Sequence, residues 1–387
     1  MADSLTLYRT IMAFVWESGL RLHDLRCVYT LVWALVGLLL SHQIHLARWA
    51  LYRPGPAQAA SKQRQLSRWL HNAQIVPAAV YRRLIQVAVR DWVGERMYLA
   101  LDSTTRWGRF TIVRLALVYR GRAVPLSWVV LAHSSASVAF VDYQVVLEQA
   151  AAVLPPGSRP GLLADRAFGD YRLWQAVRDL GWHFRIRLKG SVWVYRANHT
   201  RTKVGRLWPP KGEALFLHAV WLTKRRYGPL SVALAQVRTA HGYERWAILS
   251  DEPTALHTFD EYGWRFDLEE NFLDDKSAGF QLEASEIWDA AALSRLALIL
   301  ATATLYLVST GTAVVATGHR REVDAHWQRG LSYFQIGWRW LHHALTHGKR
   351  LLAFLWLEPE PDPAPVFASK RQAAQPVASL SALHLET

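Results

Sequence analysis

The chain has 387 residues, with 45 Lys and Arg against 31 Asp and Glu, for a formal net charge of +14. At 51% hydrophobic residues it is too apolar for a disordered chain and long enough for two or three structural units, and its basicity points to a polyanion, nucleic acid before an anionic membrane. A lone cysteine, Cys27, excludes an internal disulfide and fits a reducing cytoplasm.

The first residues lack a basic n-region, and Arg9 and Glu17 interrupt their apolar run, which argues against a signal peptide or anchor. Apolar residues then recur at helical spacing up to about Trp92, so residues 1–92 are expected to form an all-helical DNA-binding domain. Within it, "ASKQRQLSRWLHN" sets Lys62, Arg64 and Arg68 beside Leu66, Trp69 and Leu70. This is an amphipathic basic helix, suited to phosphates or simply solvated. The run "CVYTLVWALVGLLL" is too short to cross a bilayer, and the run from Leu296 is diluted by Thr and Ser. Both are expected as buried core helices, with no membrane partner.

From Met97 the texture turns to strands: "MYLALD", "RFTIVRLALVYRG" and "AVPLSWVVLA" predict a three-strand meander. A helix, a short strand ending at Asp165, a second helix and the strand "WHFRIRLKG" follow. The expected fold is α/β, a mixed sheet flanked by helices, with its first part over residues 93–188. Residues 189–253 read as an inserted β-rich subdomain. Residues 254–312 return to the core with an acid-bearing helix, 313–357 are helical, and 358–387, rich in Pro, Ala and Ser, are expected to be disordered.

Three acids stand out by position. Asp102 ends the apolar run "YLAL", Asp165 ends "GLLA" on the strand expected beside it, and Glu269 lies in "EYGWRFDLEENFLDDKSAGFQLEAS". Either Asp alone is an ordinary turn cap. Converging, the three suit a pair of Mg2+ ions, with Mn2+ as a substitute, of the kind that activate an attacking oxygen and stabilise a leaving one in a phosphodiester. Read as one helix, the stretch places Tyr262, Arg265, Glu269 and Lys276 within about 60° of arc, while Glu270 points about 100° away from Glu269. A surface helix with an Arg265–Glu269 salt bridge is the plainer reading of the same spacing. His42, His45, His342, His343 and His347 have helical spacing without a zinc-site pattern and read as ordinary helix histidines.

The spacing of Tyr262, Arg265, Glu269 and Lys276 resembles the Y-R-E-K signature of the DDE transposases of insertion sequence family four. "YLALDSTT" and "LLADRAFGD" are similar to that family's contexts for its first two catalytic acids, and "RWAILSDEP" to the end of its inserted subdomain. The resemblance implies a ribonuclease-H-like core in which Asp102, Asp165 and Glu269 bind two metal ions. It further implies that Tyr262, Arg265 and Lys276 contact DNA phosphates, that transposon ends are cut through a hairpin, and that a homodimer pairs two ends beside the bacterial nucleoid. Trp246 is the candidate platform for a flipped base, since an indole stacks on any base, with a structural core role as the commoner alternative for any one of the 19 tryptophans. Arg166, Thr104 and Lys189 are further candidate contacts. Two other readings share the triad or the surface: a stand-alone nuclease or resolvase, and a transposase-derived DNA-binding protein without catalysis.

Overall fold

The computed structural model describes residues 2–22, 24–239, 242–275, 279–352, 354–365 and 381–383. Five helices open the chain: α1 (Ala2–Glu17), α2 (Leu25–Ser41), α3 (Leu46–Tyr52), α4 (Ala59–Leu70) and α5 (Pro77–Ala88). They share one core with two late helices, α10 (Ala290–Ala316) and α11 (Tyr333–Thr346), rather than standing apart from the rest. The indole of Trp338 donates to the Leu39 carbonyl, and the buried Arg295 donates to the carbonyls of Leu70 and Ile75. Helices α10 and α11 cross closely at Gly311 and Gly337, where any side chain would strike the backbone carbonyls of Tyr333 and Leu307. Among the described residues, α10 alone is a single helix long and apolar enough to cross a membrane, and 89% of its most apolar window is buried inside the fold.

The meander forms as expected: β1 (Arg96–Arg106), β2 (Phe110–Tyr119) and β3 (Arg122–Leu131) are antiparallel neighbours. A two-residue turn, Arg120 and Gly121, joins β2 to β3 with φ of 50° and 80°, which matches the twist of the strands. Helix α6 (Phe140–Ala151) leads to β4 (Arg159–Ala164), and α7 (Tyr171–Asp179) to β5 (His183–Arg187). Strand β4 runs parallel to β1 with Leu101 opposite Ala164, and β5 runs parallel to β4.

Residues 189–253 do not form a separate layer. Their strands β6 (Trp193–Tyr195), β7 (Arg201–Lys203), β8 (Glu213–Leu222), β9 (Tyr227–Thr239) and β10 (Gly242–Ser250) prolong the same sheet, in the order β3-β2-β1-β4-β5-β10-β9-β8-β6-β7. The junction is β10, antiparallel to β5. A final strand, β11 (Ser381–Leu383), pairs with β8.

The stretch read as one helix is two. Helix α8 (His257–Gly263) stops, one turn of Trp264 and Arg265 intervenes, and α9 (Phe266–Asp275) begins. Gly263 and the bulky pair that follows it favour the break, since Gly is a weak helix residue. The tail is also ordered further than its composition suggests. Glu358 pairs with Arg120 at 2.7 Å, and Asp362 accepts from Arg329 at 2.7 Å and from the Tyr333 hydroxyl at 2.6 Å. Acidic residues among prolines are thus held by buried cations. Residues 366–380 and 384–387 of the expected disordered tail lie outside the described residues.

Helix α9 lies on the face of the meander built from small residues. Leu268 and Phe272 pack on Ala100, Ala116 and Ala123, while α6 and α10 cover the opposite face. Buried charge completes this seat: Arg114 of β2 donates to Asn271 at 2.7 Å and pairs with Asp275 at 2.7 Å, with only 1% of the arginine residue exposed. Breaking a buried pair from one side strands a charge, so Arg114→Ala is expected to cost about 3–5 kcal/mol in urea unfolding. Adding Asp275→Ala should recover part of that loss; a double variant as unstable as the sum of the singles would contradict the pairing.

Candidate active site

Strand register sets two of the carboxylates. Leu101 faces Ala164 across the parallel β1–β4 pair, so Asp102 and Asp165, the next residue in each case, emerge at one level on neighbouring strands. Asp102 shares the face of Ala100, because strand side chains alternate, and that face carries α9. Glu269, in the first turn of α9, comes over the same strand.

Arg265 joins the two sides. Its Nη1 lies 3.0 Å from Asp102 Oδ2 and its Nη2 2.5 Å from Glu269 Oε1, and the residue is only 5% exposed. Burial pushes the Asp102 carboxyl up to about 6, and the charges of Asp165 and Glu269 add to the rise. The Arg265 guanidinium and the Ser103 amide, 2.8 Å from Asp102 Oδ1, oppose it. Asp165 caps the short turn Arg166–Phe168, accepting from the Ala167 amide at 2.6 Å. The cap that a strand-end Asp makes on its own is therefore present, in addition to the neighbourhood of Asp102.

The other expected contacts divide by exposure. Tyr262 is fully buried and packs edge-on against Trp246, with ring centroids 5.0 Å apart. Trp246 is itself 1% exposed and donates to Glu244 at 3.2 Å. It is a core residue in this conformation, and its indole faces are taken by Tyr262 and Phe266 rather than open to a base. Arg265, expected to grip DNA, faces carboxylates instead. Lys276 lies outside the described residues. On α4, Arg64 and Arg68 are exposed, while Lys62 is half-buried and donates to the Arg53 carbonyl at 2.6 Å. Thr104 is buried in β1.

Two clefts begin at Arg166, the residue after Asp165, and both are lined by Arg166 and Lys189; none of Asp102, Asp165 and Glu269 lines either. One, of about 480 Å³, adds Tyr171, Lys224 and Arg225; the other, of about 410 Å³, adds Arg187, Trp208 and Arg245. Arg225 lies over the Tyr171 ring at 4.5 Å and Arg245 over Trp208 at 5.6 Å. Each cleft also carries an acid, Asp170 in the first and Glu244 in the second, where Glu244 pairs with Arg187 at 3.1 Å; among the described residues no ion pair within 4.0 Å engages Arg166, Lys189 or Lys224. Arg187, Trp208, Lys224, Arg225 and Arg245 were not singled out from the sequence. They come from β5, β10 and the loops before and after β8, and no linear spacing links them.

The donor set of Asp102, Asp165 and Glu269 is all oxygen, which fits a hard divalent cation such as Mg2+ or Mn2+. Among the described residues Asp102, Asp165 and Glu269 do not each bring a ligand atom within 4.8 Å of the others; the acidic group that does is His183, Asp251 and Glu252, at the opposite ends of β5 and β10. Glu252 is already paired with Arg96 at 2.7 Å and Arg185 at 2.9 Å, and Asp251 accepts from the Phe184 amide at 2.9 Å. Its geometry suits a cation, but its charge is largely compensated by protein. Two histidines distant in sequence also meet, His42 and His342, with Nε2 atoms 2.6 Å apart.

No protein-family model and no curated protein matches the chain. Among solved structures, a piggyBac transposase in a synaptic complex with hairpin DNA is similar, with a TM-score of 0.43 and 11% identity, covering 89% of this chain and 79% of that one.

The acids beyond Glu269 hold α9 in place. Asp274 pairs with Arg122 at 3.1 Å, and Glu270 with the same arginine at 3.4 Å. Burial pushes Asp274 up to about 7 from 3.8, with Asp275 and Glu270 adding and Arg122 opposing. Because the folded value is raised, its protonated form contributes stability at low pH, and that contribution is lost as pH rises from about 4 through about 7. Asp274→Asn cannot titrate. The melting temperature of the native protein relative to this variant should therefore fall between pH 5 and pH 8, and a relative rise would contradict the assignment.

Proposed function

We propose that the chain is a DNA transposase that cuts transposon ends and joins them to target DNA. The observation that carries this reading is the placement of Asp102, Asp165 and Glu269 at two neighbouring parallel strand ends and in the first turn of a helix, close enough for their charges to raise the Asp102 carboxyl, near clefts that carry Arg166, Lys189 and Lys224. The strand order β3-β2-β1-β4-β5, with an antiparallel meander followed by two parallel strands, supports a ribonuclease-H-like core. The resemblance to insertion sequence family four is consistent with it through Asp102, Asp165 and the spacing of Tyr262, Arg265, Glu269 and Lys276.

Asp102, Asp165 and Glu269 would hold Mg2+, or Mn2+ in its place. Bound there, such ions supply activation of an attacking oxygen and stabilisation of the leaving oxygen of a phosphodiester. Arg166, Lys189 and Lys224 hold phosphates of the strand being cut, and counterion release makes that grip salt-dependent. Tyr171 and Trp208, each beneath an arginine, offer flat apolar surface to unpaired bases next to the cut. Arg64 and Arg68 on the outer face of α4 extend the basic surface to the terminal repeat. In this reading water first frees a 3′ hydroxyl at the transposon end, that hydroxyl attacks the opposite strand to form a hairpin, a second water hydrolyses the hairpin to regenerate the 3′ hydroxyl, and that hydroxyl attacks a target phosphodiester. Pairing of two ends calls for two copies of the chain.

The test is cleavage and joining with a DNA carrying the element's ends, a supercoiled target plasmid and Mg2+. Asp102→Asn, Asp165→Asn and Glu269→Gln should each reduce cleavage by about 10³-fold or more while leaving DNA binding within severalfold. Cleavage unchanged in all three would remove the triad. Cleavage by the native protein without joined product would favour a stand-alone nuclease.

A further inference from the structure

Arg265 is packed too firmly to be a passing surface contact. Its guanidinium lies 4.7 Å from the Phe266 ring centre and 5.9 Å from that of Tyr262, with Nε buried and without a hydrogen bond among the described residues. It is aimed between two carboxylates that come from different elements, Asp102 on β1 and Glu269 on α9, and it is the group that spans them. A divalent cation ligated by the same carboxylates would compete for Asp102 Oδ2 and Glu269 Oε1, and a guanidinium alongside would repel it.

Arginine can exchange one partner for another. Its planar fork matches phosphate as well as carboxylate, so a phosphodiester oxygen can replace what it loses when it leaves Asp102 and Glu269. The clefts that share Arg166 and Lys189 begin one residue after Asp165, at the same end of the sheet, and would bring a phosphate backbone near it. We propose that Arg265 is an exchangeable latch: it holds Asp102 and Glu269 against cation entry until DNA phosphate draws it away. DNA binding and cation binding are then linked, and each strengthens the other by the same factor. This rests on the assignment of Asp102, Asp165 and Glu269 as the cation site.

A salt bridge that merely stiffens α9 makes the opposite prediction, since removing it would loosen the carboxylates and weaken the cation. Mn2+ binding to the full chain, followed by calorimetry and by the electron paramagnetic resonance of free Mn2+, separates the two. Without DNA, Arg265→Ala should bind Mn2+ about tenfold tighter than the native protein, or about 1.4 kcal/mol. Arg265→Gln, of nearly the same shape and uncharged, should do the same if the alanine variant folds poorly. A blunt DNA duplex, with its own Mn2+ uptake subtracted, should tighten binding to the native protein but not to either variant. Unchanged or weaker Mn2+ binding in both variants overturns the latch. Asp102→Asn and Glu269→Gln run alongside. Loss of binding there with no gain in the Arg265 variants sinks the latch alone, whereas full binding in both sinks the cation site on which it rests.

Discussion

The seating of α9 on the meander is the constraint on which the site depends. Glu269 can reach the strand of Asp102 only if the helix lies close, and closeness is set by the methyl groups of Ala100, Ala116 and Ala123 under Leu268 and Phe272. Burying a helix this near the sheet also buries its acids. Arg114 and Arg122 pair with Asp275 and Asp274 from the strands below, though at Asp274 the pairing offsets only part of the cost of burial, which pushes its carboxyl up to about 7. Arg114 stands directly across β1–β2 from Asp102, so the cation that seats the helix and the acid that faces it are cross-strand neighbours.

The acids of this basic chain therefore do different work. Asp274, Asp275 and Glu270 are spent on anchoring. Glu261, on α8, is likewise fixed, by the Tyr98 hydroxyl at 2.6 Å and Arg185 at 2.8 Å, which places the turn that carries Arg265. Asp102 and Glu269 share a single arginine, and Asp165 has its turn cap. Asp274 and Glu270 likewise share the single Arg122, so what distinguishes the triad is not less compensation but its position, near the clefts that carry Arg166, Lys189 and Lys224. A site for metal and phosphate together needs acids and cations within a short distance of each other.

Much of this is legible in the sequence because it depends on short-range order. The apolar runs that end in Asp102 and Asp165 mark buried strands whose next residue emerges from the sheet, and the meander follows from alternation and turn residues. What was not legible depends on long-range packing. A helix wheel placed Tyr262, Arg265 and Glu269 on one stripe, but the chain breaks after Gly263, and Tyr262 turns into the core against Trp246. The burial of Trp246 is set by α8 closing over β10, which no local pattern reports. Residues 189–253 look like an inserted unit because their strands are consecutive; only the pairing of β10 with β5 makes them part of the same sheet. Arg114 did carry a local sign, a charge in the midst of "TIVRLALVY", whose meaning appears once α9 is laid upon it.

The central claim is that the carboxylates of β1, β4 and α9, and not the group at the other end of the sheet, form the cation site. Anomalous diffraction from crystals of the chain with a DNA duplex and Mn2+ tests it most directly. Mn2+ peaks are expected bounded by Asp102, Asp165 and Glu269, with Arg265 turned toward phosphate. Peaks at His183, Asp251 and Glu252 with none at the triad would contradict it.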